Sequence, residues 1–297
     1  MNSLVYSDSP DLGAQIISKF REFGSVSVLS SAQNSSFFSR YGPASIYTFT
    51  GDESSDLVSG YILSLHNDNR YDLIAIGSTV IGRETAGIVS AAAKMNPMAE
   101  ISEIRIDNGK AYTKRFYYGG KTLLEEESDS RIFTIPPGIS EPKEAPADPK
   151  VQEITPSAGK IKVLEKIEKK SSEENIEKAS VIVSIGRGLG NKDGIQKIEP
   201  LAKALNGVIA GSRPVCLDYQ WLSEEKQVGL SGKKVRPKLY VALGISGQIQ
   251  HIAGMRGSKV VVAVNKDKSA PIFEESDFGI VGDLYQVVPK LVEALKN

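Results

Sequence analysis

Short, almost unbroken apolar runs alternate with amphipathic stretches along this 297-residue chain, and that alternation most restricts what it can fold into. In the first half SLVYS, SVSVLS, SIYTF and YDLIAIGS alternate with DLGAQIISKF, SSDLVSGYILSL and RETAGIVSAAAKM. A short continuous apolar run reads as a strand covered on both faces, and the helix-period stretch after it carries the chain back to start a parallel neighbour. The second half repeats the scheme with ASVIVS, GVIA, LYVAL and KVVVAVN, separated by stretches such as IQKIEPLAKALN and closed by LYQVVPKLVEALKN. The expected fold class is α/β, in two domains, each a mainly parallel sheet with flanking helices.

Two segments break the pattern. From Ile101 the period changes to two, and EIRID and KAYTKRFYY flank Asn108-Gly109, which predicts a type I′ hairpin beside or at the edge of the parallel sheet. Between about Pro136 and Lys178 the composition shifts: PPGISEPKEAPADPK is rich in proline and acidic residues, and EKIEKKSSEENIEK is almost wholly polar. Neither is expected to bury a core of its own. KIKVLEKI, between them, is expected to finish the first sheet. The domain boundary is placed in the stretch Glu168 to Ile176, giving domains 1–168 and 169–297.

Composition excludes several roles. Thirty-six basic residues balance thirty-six acidic ones, so no nucleic-acid partner is expected. Cys216 is the single cysteine, which excludes an internal disulfide or a CxxC metal site and suits a reducing compartment. The N-terminal stretch MNSLVYSDSPDLGAQ has no presequence character, and no apolar run suggests insertion into a membrane, so a cytoplasmic protein is expected. There is no HExxH, no GxxxxGK[ST] and no GxSxG. No catalytic residue and no metal ligand is nominated, and the chemistry is expected to belong to a bound cofactor.

In open α/β sheets ligands bind beyond the carboxyl ends of the strands, so the turns there are the candidates. SIGRGLG follows VIVS; its GxGxG spacing is not a dinucleotide fingerprint and serves a plain structural turn as well as a phosphate contact. Arg187 on it is placed to meet an anion. GSRPV puts Ser212 and Arg213 after GVIA, where the bland alternative is a solvated arginine. QVGLSGKK, holding Gln227, Val228, Ser231 and Gly232, reads as a flexible surface loop unless its hydroxyl has a task. In GISGQIQHIAGM, Gly244 and Gly247 permit close backbone approach, Ser246 is expected to cap the following helix, and Gln250 and His251 lie about one turn in. Asn265 closes KVVVAVN as a turn former or a ligand contact. Asp283 before Leu284 reads as a helix N-cap, with a ligand contact as the sharper alternative.

These pieces carry a family resemblance. SR, QVGLSGK, LYVALGISGQIQHIAGM, VVAVNKDKSAPIF and DFGIVGDL, in that order and spacing, closely resemble the C-terminal domain of the electron transfer flavoprotein α subunit. The likeness covers the second domain, SIGRG included; the first domain is similar in architecture more than in motif. The resemblance implies a Rossmann-like FAD-binding domain distantly similar to deoxyhypusine synthase, and a first domain that packs on a β subunit and carries no redox cofactor. It implies that Arg187, Ser212, Ser246 and Gly247 serve the FAD phosphates and ribityl chain, and that Arg213 lies against the isoalloxazine. Gln227, Val228, Ser231 and Gly232 would stand near its pyrimidine side, Gln250 and His251 at its N1/C2 end, and Asn265, Asp283 and Leu284 at the adenosine. Ser231 stands where many members have Thr, which keeps the hydroxyl.

The function the resemblance implies is an electron carrier rather than an independent enzyme. As a heterodimer with the β subunit, such a protein takes electrons singly from flavin dehydrogenases, such as the acyl-CoA dehydrogenases of fatty acid β-oxidation, and passes them to a membrane quinone oxidoreductase. An alternative within the family is an electron-bifurcating complex that uses NADH and a second FAD in the β subunit. From another class, an NAD-dependent enzyme of deoxyhypusine-synthase-like fold needs a catalytic lysine that no motif nominates, and a non-redox nucleotide-binding protein is suggested only by the first half.

Overall fold

The computed structural model describes residues 1–154, 161, 164–165 and 175–296. The chain divides into two compact units, Met1–Ile167 and Glu168–Asn297. The expected boundary segment and the strand expected in KIKVLEKI lie largely outside the described residues.

The first unit is built on β1 (Asn2–Tyr6), β2 (Ser25–Ser31), β3 (Ser45–Phe49), β4 (Leu73–Gly77), β5 (Pro97–Met98), the antiparallel trio β6 (Glu103–Asp107), β7 (Lys110–Tyr117) and β8 (Thr122–Ser128), and then β9 (Ile132–Ile135) and β10 (Lys150–Glu153). Seven of these form one parallel sheet in the order β10-β3-β2-β1-β4-β9-β5. Helices α1 (Pro10–Phe20) and α2 (Ser35–Ser39) cover one face; α3 (Ser55–Asn69) and α4 (Val80–Ala93) cover the other. Successive strand residues serve opposite faces, as a period of two requires: Val5 and Ala75 join the α1 core, while Leu4, Tyr6 and Ile76 join the α3–α4 core. Asn108 and Gly109 both have positive φ, 48° and 78°, between β6 and β7, the geometry of the expected type I′ turn.

The proline-rich stretch departs from expectation. It is ordered as a strap over α1 and α2, because its backbone polar groups find partners there. Gly138 N–H donates to Gln15 Oε1 at 2.6 Å, Lys143 N–H to Ser18 Oγ at 2.9 Å and Ala145 N–H to the Arg40 carbonyl at 2.9 Å, and Ile139 packs against the core. The strap then delivers β10 to the sheet edge beside β3.

The second unit holds β11 (Val181–Ile185), β12 (Val208–Gly211), β13 (Leu239–Leu243), β14 (Val260–Asn265) and β15 (Phe278–Val281), with α5 (Gly194–Ala204), α6 (Ile249–Met255) and α7 (Leu284–Ala294). Its sheet is parallel throughout, in the order β12-β11-β13-β14-β15. Helices α5 and α7 pack on one face with Val183, Val241 and Leu243. On the other, α6 packs on Ile182, Tyr240 and Ala242. The strand order reverses between β11 and β13, and a doubly wound sheet opens its ligand crevice at such a reversal, beyond the carboxyl ends. No helix among the described residues is long and apolar enough to cross a membrane.

Candidate functional site

At the reversal the turns after β11 and β13 lie directly on one another. Gly186 N–H donates to the Leu243 carbonyl at 2.9 Å and Gly188 N–H to the Gly244 carbonyl at 3.0 Å. A Cβ on Gly186 would stand 2.3 Å from the Gly244 oxygen, and Gly244 itself has φ +62°. Two of the three glycines of SIGRGLG therefore serve backbone contact, which is the structural reading of that motif; Gly190, at φ +87°, meets nothing within 4 Å. The Tyr285 hydroxyl of α7 donates to the Leu189 carbonyl and holds the same turn from its other side. A cleft of about 50 Å³ opens here, lined by Gly188, Gly244, Val264, Asn265, Lys266, Gly282 and Leu284.

Two arginines stand at neighbouring strand ends. Arg187 follows β11 and Arg213 follows β12; both are exposed, and neither has an acidic partner among the described residues. Ser212, between them, is 9% exposed and gives its N–H to the Ile185 carbonyl at 3.0 Å, tying the β12 end to β11. After Arg213 the chain makes a π-type turn over Pro214–Asp218, in which Tyr219 N–H reaches the Pro214 carbonyl at 2.8 Å. Such wide turns often mark functional sites, and no sequence pattern announced this one.

QVGLSGKK is not the loose loop its composition suggests. Gln227 is 1% exposed and donates from Nε2 to Ser231 Oγ at 3.1 Å. Val228 N–H donates to the Gly211 carbonyl at 2.9 Å, and Leu230 N–H to the Gln250 carbonyl at 2.7 Å. Gly232 lies so close that a Cβ would stand 2.5 Å from the Gln227 oxygen. The loop is thus pinned between the end of β12 and α6, with the Ser231 side chain at the surface.

GISGQIQH holds one correction. Ser246 does not cap α6: the helix begins at Ile249, Gln248 is its N-cap, and no side chain caps it. The cause lies at Gly247, whose φ is +84° and which presses on the Ile272 backbone, while Ile272 N–H donates to the Ser246 carbonyl at 3.1 Å. Those contacts turn the chain before the helix can start. Ser246 and Gln250 are exposed. His251 is buried; its Nε2 lies 2.9 Å from the Tyr240 hydroxyl, and burial pushes its pKa down to about 4. It is neutral at neutral pH.

At the far end of the cleft Asn265 bridges two strand ends, donating from Nδ2 to the Ile245 carbonyl at 2.8 Å and accepting from Asp267 N–H at 3.0 Å. Asp283 caps α7 through Tyr285 N–H at 2.7 Å and pairs with Lys266 at 2.9 Å. The Lys266 ammonium holds the Asp283 carboxyl below the usual carboxylate range. Leu284 is buried beneath it.

The structure thus brings Gly244, Asn265 and Leu284 to one cleft and seats Arg187, Ser212 and Arg213 on adjoining strand ends. Gln227, Val228, Ser231 and Gly232 fold back against Gln250. Sequence reasoning missed Lys266, which lines the cleft, and Tyr240, which holds His251. Lys266 sits in the NKD run after a buried strand, a legible position; Tyr240 read as apolar filler inside LYVAL. The set offers two exposed guanidiniums, exposed hydroxyls and glycine turns at a sheet reversal, which fits an extended anionic cofactor. Among the described residues no cluster of His, Cys, Asp and Glu is built to hold a metal ion.

Comparisons with known proteins agree with this geometry. The profile described as the electron transfer flavoprotein FAD-binding domain matches residues 175–256, and that of the electron transfer flavoprotein domain matches residues 24–159. The electron transfer flavoprotein subunit alpha of Thermoanaerobacterium thermosaccharolyticum is 38% identical over 246 residues, 80% of this chain and 74% of the relative. Protein FixB of Clostridium saccharobutylicum is 35% identical over 254 residues, 82% and 76% of the two chains. YdiR of Escherichia coli (strain K12) is 31% identical over 311 residues, 100% of this chain and 99% of the relative. The cofactor indicated is FAD.

Proposed function

The chain belongs to the electron transfer flavoprotein α-subunit family, and from that premise we propose that it is the FAD-holding half of a heterodimeric electron carrier, its partner being a β subunit on which the first domain packs. The observation that carries the reading is the pair of exposed arginines, Arg187 and Arg213, without an acidic partner among the described residues, beside the glycine-on-glycine reversal of β11 and β13. Bound FAD supplies the one-electron chemistry, and the side chains around it set its affinity and potential.

In this reading the backbone amides of the Gly186–Gly190 turn, with Arg187 and Ser212, hold the diphosphate and ribityl chain together with Ser246 and Gly247. Arg213 keeps a fixed positive charge at the isoalloxazine. A charge-assisted hydrogen bond contributes about 1.5–3 kcal/mol, and 1.4 kcal/mol corresponds to roughly 60 mV in a one-electron potential. One guanidinium is therefore enough to bias electron acceptance. Ser231 presents its hydroxyl to the pyrimidine side, held in place from behind by the buried Gln227 amide. Gln250 and His251 flank its N1/C2 end, and Asn265, Asp283 and Leu284 form the adenosine end. The electrons come from flavin dehydrogenases such as acyl-CoA dehydrogenases and leave to a membrane quinone oxidoreductase.

The test is the visible spectrum of the chain co-purified with its β subunit, followed through stepwise reduction. One flavin per heterodimer, reduced in two resolved one-electron steps, supports the carrier. Colourless protein overturns the reading, and two flavins per heterodimer reassign the chain to a bifurcating complex.

A further inference from the structure

Tyr240 and His251 are joined deep inside the second unit. Tyr240, on the central strand β13, is 0% exposed; His251, on α6, is 7% exposed; and the phenol oxygen lies 2.9 Å from Nε2. Apolar side chains surround the pair, among them Ile182, Val228, Ile252 and Met255. A buried phenol needs a partner for its hydroxyl. Burial pushes the Tyr240 pKa up and the His251 pKa down to about 4, so both groups are neutral at neutral pH. The single bond between them then holds one proton, given by one partner and accepted by the other.

The chemistry of the pair sets the direction. A phenol O–H is a stronger donor than a neutral imidazole N–H, and a bare imidazole nitrogen is a stronger acceptor than a phenol oxygen, so the Tyr240 hydroxyl gives its proton to Nε2. The imidazole's other nitrogen, Nδ1, is buried and makes no hydrogen bond among the described residues, and the Val228 backbone beside the ring favours a proton on it. Val228 belongs to the QVGLSG loop that also carries Gln227 and Ser231.

We propose that Tyr240 is a positioning residue whose buried hydroxyl donates to Nε2 and fixes His251 as the neutral tautomer with its proton on Nδ1, its N–H turned toward the QVGLSG loop. His251 is then a fixed hydrogen-bond donor and not a proton carrier. A tautomer set by the partner of the opposite nitrogen is how a neutral imidazole is given a single role. The inference rests on the assignment of α6 and this loop to the pyrimidine side of FAD.

The chain has only two histidines, so nitrogen-15 NMR of the full chain labelled at histidine resolves them, with His66→Gln assigning the signals. The expected result is a single His251 tautomer protonated at Nδ1, unchanged from pH 8 down to about 5. A proton on Nε2 would overturn the proposal, and this measurement needs neither flavin nor a variant at Tyr240. In the heterodimer, Tyr240→Phe is expected to mix the tautomers, weaken FAD binding about fivefold and shift the first one-electron potential. That potential shift should vanish when Tyr240→Phe is made in a His251→Asn background. The same shift in both backgrounds would make Tyr240 a packing residue and sink the idea. Absence of flavin from the wild-type heterodimer would instead defeat the functional reading and leave the tautomer result standing.

Discussion

Gly188 donates its N–H to the Gly244 carbonyl at 3.0 Å, and the two turns lie so close that a Cβ on Gly188 would stand 2.6 Å from the Gly244 Cα. Rigid backbone, not a flexible side chain, occupies that space, so a methyl group there must push β11 and β13 apart. Gly188→Ala is expected to destabilise the second unit by about 2 kcal/mol or more, in the range of overpacking a close-packed site. The chain's one tryptophan, Trp221, lies in this unit, so its fluorescence during urea unfolding reads the effect. Flavin content of the folded fraction should fall with it, because the same turn borders the cleft.

Arg213→Ala and Arg187→Ala separate charge from packing. Both side chains are exposed, so neither change should move the unfolding midpoint noticeably. Each removes a charge-assisted contact of about 1.5–3 kcal/mol, a loss of roughly tenfold to a hundredfold in FAD affinity. They should differ in potential: Arg213→Ala lowers the first one-electron potential, whereas Arg187→Ala, at the diphosphate, leaves it within error. Titration of apo-heterodimer with FAD and stepwise reduction measure the two quantities. Equal potentials in Arg213→Ala and wild type would remove that guanidinium from the isoalloxazine.

Much of this arrangement was legible because burial on both faces of a parallel sheet writes continuous apolar runs, and VIVS, LYVAL and KVVVAV became β11, β13 and β14. The Asn108-Gly109 turn was legible because only such a pair tolerates two positive φ values in succession. Four features were not. The strap over α1 looks like a linker because its stability comes from backbone groups meeting Gln15, Ser18 and Arg40, which composition does not encode. Strand β10 has the pattern KVQE, mostly exposed at a sheet edge, without an apolar run to reveal it. The pairing of Tyr240 with His251 and the π-type turn after Arg213 are decided by tertiary contact. Ser246 shows the same limit, since a cap signal before a helix lost to the contact of Gly247 with Ile272.

Gln15 tests the strap. Its Oε1 accepts from Gly138 N–H, and its carbonyl accepts from Ser140 Oγ at 2.9 Å. Gln15→Ala removes the first bond and keeps the second, a loss of about 1 kcal/mol. Local opening of residues 136–149 should become roughly fivefold more frequent. Limited proteolysis within that segment is expected to quicken by the same factor while flavin content stays constant. An unchanged cleavage rate would mean the remaining contacts, led by Lys143 with Ser18, hold the strap alone.

Ser231 holds the buried Gln227 amide. Ser231→Ala leaves that amide without its partner, at a cost of about 1–3 kcal/mol. Ser231→Thr keeps the hydroxyl and should behave as wild type. Trp221 fluorescence during urea unfolding compares the three chains, and FAD titration shows whether the alanine variant also binds less tightly. If alanine and threonine variants unfold alike, the hydroxyl does not secure the loop.

His251 gives the second unit a pH dependence with a defined sign. Its ordinary pKa of 6.5 is pushed to about 4 by burial. Between those values the unfolded chain takes up a proton that the folded chain refuses, so stability is constant above pH 6.5 and declines as pH falls toward about 4. The full difference is about 3 kcal/mol. Carboxylates titrate near the lower end of that window, so the comparison is with His251→Gln, which keeps every other titrating group, His66 included. Urea unfolding by Trp221 fluorescence at pH 7, 6, 5 and 4.5 should show wild-type stability falling more steeply than that of the variant, with the gap confined to that window. Parallel curves would mean that His251 reaches solvent and protonates without unfolding, contradicting its burial against Tyr240.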